Sequence, residues 1–346
     1  MTAQTIHTDA VIVGAGPVGL FQAFQLGLQD IRCHVVDALP HVGGQCVELY
    51  ADKPIYDIPG IPVCTGRELV AQLQTQIKPF APTFHLNQEV TEVTHLEDGS
   101  LSVRTSAQQH FMCKVLVIAA GVGAFQARKL AVEGAPALEG THVHYRLGDA
   151  SRFAGQDVLV LGGEESAVAG ALKLTLEAKP PRSVTLMHRR DVFTAEPVLL
   201  QAMRDAIASG ALQLQIGQPT GLLATDGHLH TLHIATPDGS ALERPVQHLI
   251  AFLGLSPKLG PIAQWGLAME RKQLVVNTET FATDRTGIFA VGDINTYPGK
   301  KKLILCGFHE ATLAAFGAAA IVHPTRKTLL QYTTTSTELH RLLGIA

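Results

Sequence analysis

The chain has 346 residues, 46% of them hydrophobic and only 16% charged, with a formal net charge of −3 and a pI near 6.6. That length suggests about two domains, and the balance of charge offers no basic surface for nucleic acid or an anionic membrane. No apolar stretch approaches the roughly 20 residues of a membrane span, and the N-terminus lacks the basic and long apolar regions of a leader, so a cytoplasmic location is expected. The five cysteines, Cys33, Cys46, Cys64, Cys113 and Cys306, are scattered without a C-x-x-C, and the sixteen histidines show no H-E-x-x-H. Neither a metal site, a disulfide framework nor a dithiol redox pair is predicted.

The first element in the chain is a short apolar strand, Ala10-Val11-Ile12-Val13, running into Gly14-Ala15-Gly16-Pro17-Val18-Gly19 and then into a helical pattern. This is the layout of a dinucleotide-binding turn. Gly14 lets the chain turn sharply, Gly16 has no side chain to hold a pyrophosphate off the backbone, and Gly19 lets the helix pack close to the sheet. The pyrophosphate is expected at the helix N-terminus, among free N–H groups and the positive end of the dipole. A second strand, residues 32–36, ends in Asp37, 18 residues beyond Gly19. That is close to the spacing of about 20 expected for the carboxylate that holds ribose hydroxyls, and an acid there favours an unphosphorylated ribose, as in FAD or NAD.

The loop from Ala38 to Cys46 is rich in Pro and Gly and follows directly on Asp37, so it is expected to lie along the same cofactor, with Gln45 offering a donor and an acceptor to a flat ring system. Tyr50 reads equally as a partner of that ring and as a half-buried loop tyrosine. Residues 66–81 predict a helix, 83–93 extended chain, and Asp98-Gly99 the turn of a hairpin. A buried strand from Lys114 then ends in Ala119-Ala120-Gly121, small enough for the chain to cross close beneath a cofactor.

A second unit of the same kind follows. Val158–Leu161 predicts a strand, Gly162-Gly163-Glu164-Glu165-Ser166-Ala167 a turn and Val168–Leu176 a helix; the next strand, 184–187, ends in His188-Arg189-Arg190. A basic cluster in place of the acid suits a 2′-phosphate and hence NADPH, the alternative being a solvated basic turn. Residues 249–257 repeat the strand and small-residue crossing. Gly287–Asp293 then predicts a buried strand whose closing acid, Asp293, is placed to meet the cofactor's ribityl chain. Leu303–Val322 predicts a long Ala/Gly-rich helix, packed as core and with N-terminal amides facing the flavin ring.

The order of these motifs resembles the two-domain flavoprotein reductases related to thioredoxin reductase. Gly43-Gly44-Gln45-Cys46, Lys53-Pro54-Ile55-Tyr56-Asp57-Ile58-Pro59, Ala119–Phe125 and Gly292-Asp293-Ile294-Asn295-Thr296-Tyr297-Pro298-Gly299-Lys300 are similar to the thioredoxin reductase-like ferredoxin–NADP reductases along essentially the whole chain. That resemblance implies FAD contacts at Asp37, Gln45, Tyr50, Val90, Phe125, Asp293 and Thr334, and a homodimer in which the C-terminal tail covers the partner's flavin. It further implies electron transfer between NADPH and ferredoxin or flavodoxin with no catalytic acid or base. Three residues depart from the pattern: Glu164 and Glu165 where the second turn usually has Gly and Asp, and Thr194 where a basic residue is usual.

The fold expected is α/β, two Rossmann-like FAD/NAD(P)-binding domains with the NADPH domain inserted in the FAD domain. Residues 1–121 and 255–346 are assigned to FAD and 122–254 to NADPH. The departures leave two rival readings: another NAD(P)H-dependent flavin reductase with a quinone, oxygen or small-molecule acceptor, and a flavin-binding protein whose nicotinamide site has decayed.

Overall fold

The computed structural model describes residues 5–326 and 331–345, apart from the side chains of 124–126, 255 and 257. In chain order the main strands and helices are β1 (Ala10–Val13), α1 (Pro17–Leu28), β2 (Cys33–Val36), α2 (Gly66–Gln76), β3 (Thr83–His85), β4 (Val115–Ile118), β5 (Val143–His144), β6 (Asp157–Leu161), α3 (Glu165–Thr175), β7 (Ser183–His188), α4 (Pro197–Ala208), β8 (Gln213–Ile216), β9 (His248–Ala251), β10 (Ile288–Ala290) and α5 (Ile304–Val322). They fall into two compact units, one of residues 1–124 with 257–346, the other of residues 125–256. Each unit holds a five-stranded parallel sheet, the arrangement of a Rossmann-like α/β fold.

In the first unit the sheet runs β10-β4-β1-β2-β3. The charge-free apolar runs of β1 and β4 are buried along their whole length, which suits central strands covered on both faces. Helix α1 packs on α5, where Ala311, Ala314, Ala315, Ala318 and Ala319 are buried and let the helix backbones approach closely. Three antiparallel strands, Val90–His95, Leu101–Thr105 and His110–Cys113, with Thr5–His7 beside them, form a side sheet, its hairpin turning at Gly99.

Two expectations change. The helix predicted over 66–81 begins at a capping box, Thr65 with Glu68, but ends at Gln76, because Pro79 takes the chain into a short 3₁₀ turn. Helix α5 is 19 residues long, and by length and composition alone it is apolar enough to cross a membrane, contrary to the composition reading above. It also carries Glu310, which is fully buried.

In the second unit the sheet runs β5-β9-β6-β7-β8, again all parallel, and three antiparallel strands follow between residues 218 and 245. Helix α3 starts at Glu165 rather than Val168, so half of the predicted turn is already helical. On β5 and β9, His144 Nε2 lies 3.2 Å from His248 Nδ1, with His142 stacked on the His248 ring. The Arg152 guanidinium is 3.3 Å from His144. Burial, and then Arg152, pushes the His144 ring down to about 4; burial, and then His142, pushes His248 down to about 4. The unfolded chain therefore binds protons that the folded one refuses. This contribution to stability is complete above the ordinary histidine value of 6.5 and declines as the pH falls through the window down to about 4. Denaturant midpoints for this unit should fall across that window; a flat profile would mean that the rings accept protons freely in the folded state.

Candidate functional site

Each unit presents one turn between a central strand and a helix. In the first, Gly14 has φ +111°, and a Cβ there would lie 2.4 Å from the carbonyl oxygen of Ala119. A Cβ on Gly19 would lie 2.0 Å from the Gly14 oxygen, so the helix sits as close to the turn as it can. Gly16 is different: a Cβ there would meet only the Gly44 Cα, at 3.9 Å, so its hydrogen faces open space. Gly16 is also the N-cap of α1, with no side-chain cap and no acid in the first turn. Free amides, a positive dipole end and room beside them suit an anion, and the turn fits the pyrophosphate of FAD.

Asp37 closes the turn. Its Oδ2 accepts from the Ala15 amide at 2.6 Å and its Oδ1 from the Leu39 amide at 2.8 Å; burial pushes the carboxyl up against the pull of those two bonds. A carboxylate has about four acceptor positions, which leaves capacity for ribose hydroxyls. Val90 is buried at the end of a segment tied to Asp37 through Gln88, whose amide donates to the Asp37 carbonyl. Gln45 Nε2 is 3.3 Å from Asp293 Oδ2 and would be 3.0 Å from a Cβ on Gly121, so these three positions converge. The Cys46 thiol donates to the Tyr50 hydroxyl at 3.4 Å, and burial pushes both groups up, keeping them protonated. Among the described residues all five cysteines are free thiols, and no three His, Cys, Asp or Glu side chains gather as metal ligands.

The sequence reading missed what holds Asp293. The buried Glu310 carboxylate on α5 accepts from the Gly292 amide at 2.7 Å, Asn295 Nδ2 at 2.9 Å and the Tyr297 hydroxyl at 2.9 Å, and it pairs with the Lys300 ammonium. Lys300 Nζ also donates to the Gly292 carbonyl at 2.9 Å. Gly292, the residue before Asp293, is thus clamped through both its N–H and its C=O groups. The available signal was one acid in an otherwise uncharged helical run, ten residues after a lysine.

The second turn is built otherwise. A Cβ on Gly162 would lie 2.5 Å from the Phe252 oxygen, and one on Gly163 would lie 2.5 Å from the His188 ring. His188 Nδ1 is within 2.9 Å of the Arg190 carbonyl and 3.0 Å of the Val192 carbonyl, so the ring braces its own loop against the turn. Ala167 is fully buried beneath the turn, whereas Ser166, Arg189 and Arg190 are exposed. The N-cap of α3 is Glu164, exposed and with no side-chain cap bond, and Glu165 adds an acid in the first turn. Thr194 lies beside Glu164 in a backbone bridge, its amide donating to Gly163 at 2.8 Å, so two of the three departures adjoin in space. Thr334 is exposed on the segment before the terminal helix Thr337–Leu343, and the Phe125 side chain lies outside the described residues.

A family model described as pyridine nucleotide-disulphide oxidoreductase matches residues 51–292, and one for an NAD(P)-binding Rossmann-like domain matches 12–65. The chain is 54% identical to ferredoxin–NADP reductase 2 of Cupriavidus metallidurans, over 99% of this chain and 92% of that one. It is likewise 54% identical to ferredoxin–NADP reductase of Albidiferax ferrireducens, over 98% and 96%. Among solved structures it is similar to thioredoxin reductase of Lactococcus lactis, with TM-score 0.60 and 25% identity over 91% of this chain and 99% of that one. It also shares the fold of the bacillithiol disulfide reductase Bdr of Staphylococcus aureus, with TM-score 0.62 and 18% identity over 91% and 99%.

Three outcomes follow from this geometry. Asp37→Ala removes charged hydrogen bonds and should weaken FAD retention by about 2 kcal/mol, roughly thirtyfold in Kd, read as the flavin-to-protein ratio after gel filtration; undiminished flavin would take Asp37 out of the site. Glu310→Ala leaves Lys300 buried without its partner and should cost about 3–5 kcal/mol in chemical denaturation, a loss below about 1 kcal/mol showing that water reaches the pair. A carboxylate about 4 Å from a phosphate charge repels it by roughly 4 kcal/mol at an effective dielectric of 20, and solvent around the exposed Glu164 cuts this further. Glu164→Gly should therefore tighten NADPH about three- to tenfold in an anaerobic titration. No gain would mean that the carboxylate already points away.

Proposed function

Because this chain belongs to the pyridine nucleotide-disulphide oxidoreductase family, and within it to the ferredoxin–NADP reductases, we propose that it carries electrons between NADPH and ferredoxin or flavodoxin. It is an FAD- and NADPH-dependent oxidoreductase. The observation that carries the proposal is the uncapped N-terminus of α1, with no acid in its first turn and room at Gly16, together with Asp37 bonded to the Ala15 amide and Gln45 paired with Asp293. When bound, FAD supplies the exchange between a two-electron hydride and single electrons, so one NADPH reduces two ferredoxins and releases NADP⁺ and one proton.

In this reading the chain binds and orients. Gly14, Gly16 and Gly19 shape the pyrophosphate turn, Asp37 holds the ribose, Asp293 the ribityl chain, Gln45 the ring edge and Tyr50 the ring face, with Val90 and Phe125 completing the contacts. In the second unit Gly162, Gly163 and Ser166 receive the NADPH pyrophosphate, and Arg189 and Arg190 the 2′-phosphate. His188 and Ala167 act from beneath by fixing the turn, as their packing supports. The protonated Tyr50 and Cys46 give the ring face no charge. We further propose a cytoplasmic homodimer in which the segment around Thr334 covers the partner's flavin.

The test is anaerobic mixing of the purified yellow protein with NADPH and then with ferredoxin. Flavin bleaching followed by ferredoxin reduction is expected. Bleaching without ferredoxin reduction would point to a quinone or small-molecule acceptor, and no bleaching to the decayed site that Glu164, Glu165 and Thr194 suggest. Cys46→Ser should keep most of the activity, because no dithiol takes part; its loss with FAD still bound would reveal a thiol step.

A further inference from the structure

The segment Gly299-Lys300-Lys301-Lys302-Leu303-Ile304-Leu305 holds three lysines and no acid in a chain whose net charge is −3. Lys300 is occupied by Glu310 and the Gly292 carbonyl. Lys301 and Lys302 are exposed, and beside them Leu303 and Leu305 are 45% and 43% exposed, although both flank the start of the most apolar helix of the unit. Two solvent-facing leucines next to two solvent-facing lysines make a small apolar centre with a basic rim.

This patch adjoins the two turns to which the proposed function assigns the cofactor. A Cβ on Gly307 would lie 2.4 Å from Val18 Cγ2, and one on Gly292 would lie 3.4 Å from the same atom, so the first turn of α5, the Asp293 turn and the first turn of α1 meet around Val18. The N-terminus of α5 has no side-chain cap and no acid in its first turn. The buried Lys300–Glu310 pair anchors the segment from beneath, so the patch is held in place rather than carried on a free loop.

We propose that Lys301, Lys302, Leu303 and Leu305 form the docking face for ferredoxin, an inference that rests on the ferredoxin reading above. An acidic carrier is repelled by the net charge of this chain and needs a local basic face to orient it; short-lived redox encounters use small interfaces whose rim charges act on the association rate. Docking here brings the carrier against the Asp293 turn and the first turn of α1, the elements to which the proposed function assigns the flavin. Because each ferredoxin takes one electron, two successive visits empty one NADPH, and a face with small apolar area and screened charges suits rapid release between them.

The test uses the FAD-loaded protein and compares Lys301→Glu/Lys302→Glu with Lys179→Glu/Arg204→Glu, which changes the net charge equally at exposed positions of the other unit. At low salt the first variant should raise the Kd for oxidised ferredoxin, by calorimetry, and the KM for ferredoxin at least tenfold. The dependence of both on salt should flatten, while FAD content and NADPH-driven ferricyanide reduction stay at the wild-type level. The control variant should change Kd less than threefold. Equal weakening in both variants would reduce the effect to overall charge and overturn the proposal, as would no change in either. Conversion of a dimer to a monomer by the first variant, read by sedimentation, would assign the face to a second copy of this chain and overturn it too. Failure of the unmodified protein to reduce ferredoxin, with NADPH still bleaching the flavin, defeats the ferredoxin reading itself and this inference with it.

Discussion

A buried carboxylate sets the terms for the first unit. Glu310 lies buried inside a helix with no other acid, and an isolated charge there would be costly, so the chain brings donors to it. Those donors are the Gly292 amide, Asn295, Tyr297 and Lys300, and all of them belong to the one segment that follows β10. Satisfying Glu310 therefore fixes the path of residues 292–300 and the position of Asp293 relative to α5. Replacing the network by apolar side chains would preserve packing and lose that specification.

The two strand-to-helix turns show how the same backbone plan carries different electrostatics. Both have a strand, a glycine at high φ and a helix whose N-terminus receives no side-chain cap. The first turn of α1 carries no acid, whereas α3 carries Glu164 at its N-cap and Glu165 in its first turn. The φ of −98° and ψ of 171° at Glu164 are ordinary extended values, so nothing in the backbone demands glycine there. What distinguishes the turns is the room and charge presented to a phosphate, together with the nearness of Thr194 where a cation is usual.

Much of this was legible in the sequence because it rests on local rules. Apolar runs of four residues followed by a glycine turn announce a strand and a turn without knowledge of any other part of the chain, and the position of Asp37 beside the first turn follows from spacing alone. The alternation of strand and helix patterns likewise gave the α/β class. The contacts that were not legible are those set by distant partners: Gln45 with Asp293, and Glu310 with Lys300 and Gly292. His188 was read for its charge as part of a basic cluster, but the position of its ring is decided by Gly163 and by the carbonyls of its own loop. Helix α5 shows the limit of composition, since its length and apolarity are shared by membrane spans and core helices, and only its packing partners are informative.

The insertion of one unit within the other has a consequence for the order of assembly during synthesis. Residues 125–256 are continuous, so their sheet is complete once β9 has left the ribosome. The first unit has to wait: β4 keeps an open edge until β10 arrives, and Leu116 finds Ile288 only after the whole intervening unit has been made. Closing that long loop slows folding, and a hydrophobic strand edge left unpaired in the meantime is an aggregation hazard. The early folding of the inserted unit shortens the effective loop and so eases the meeting of β10 with β4.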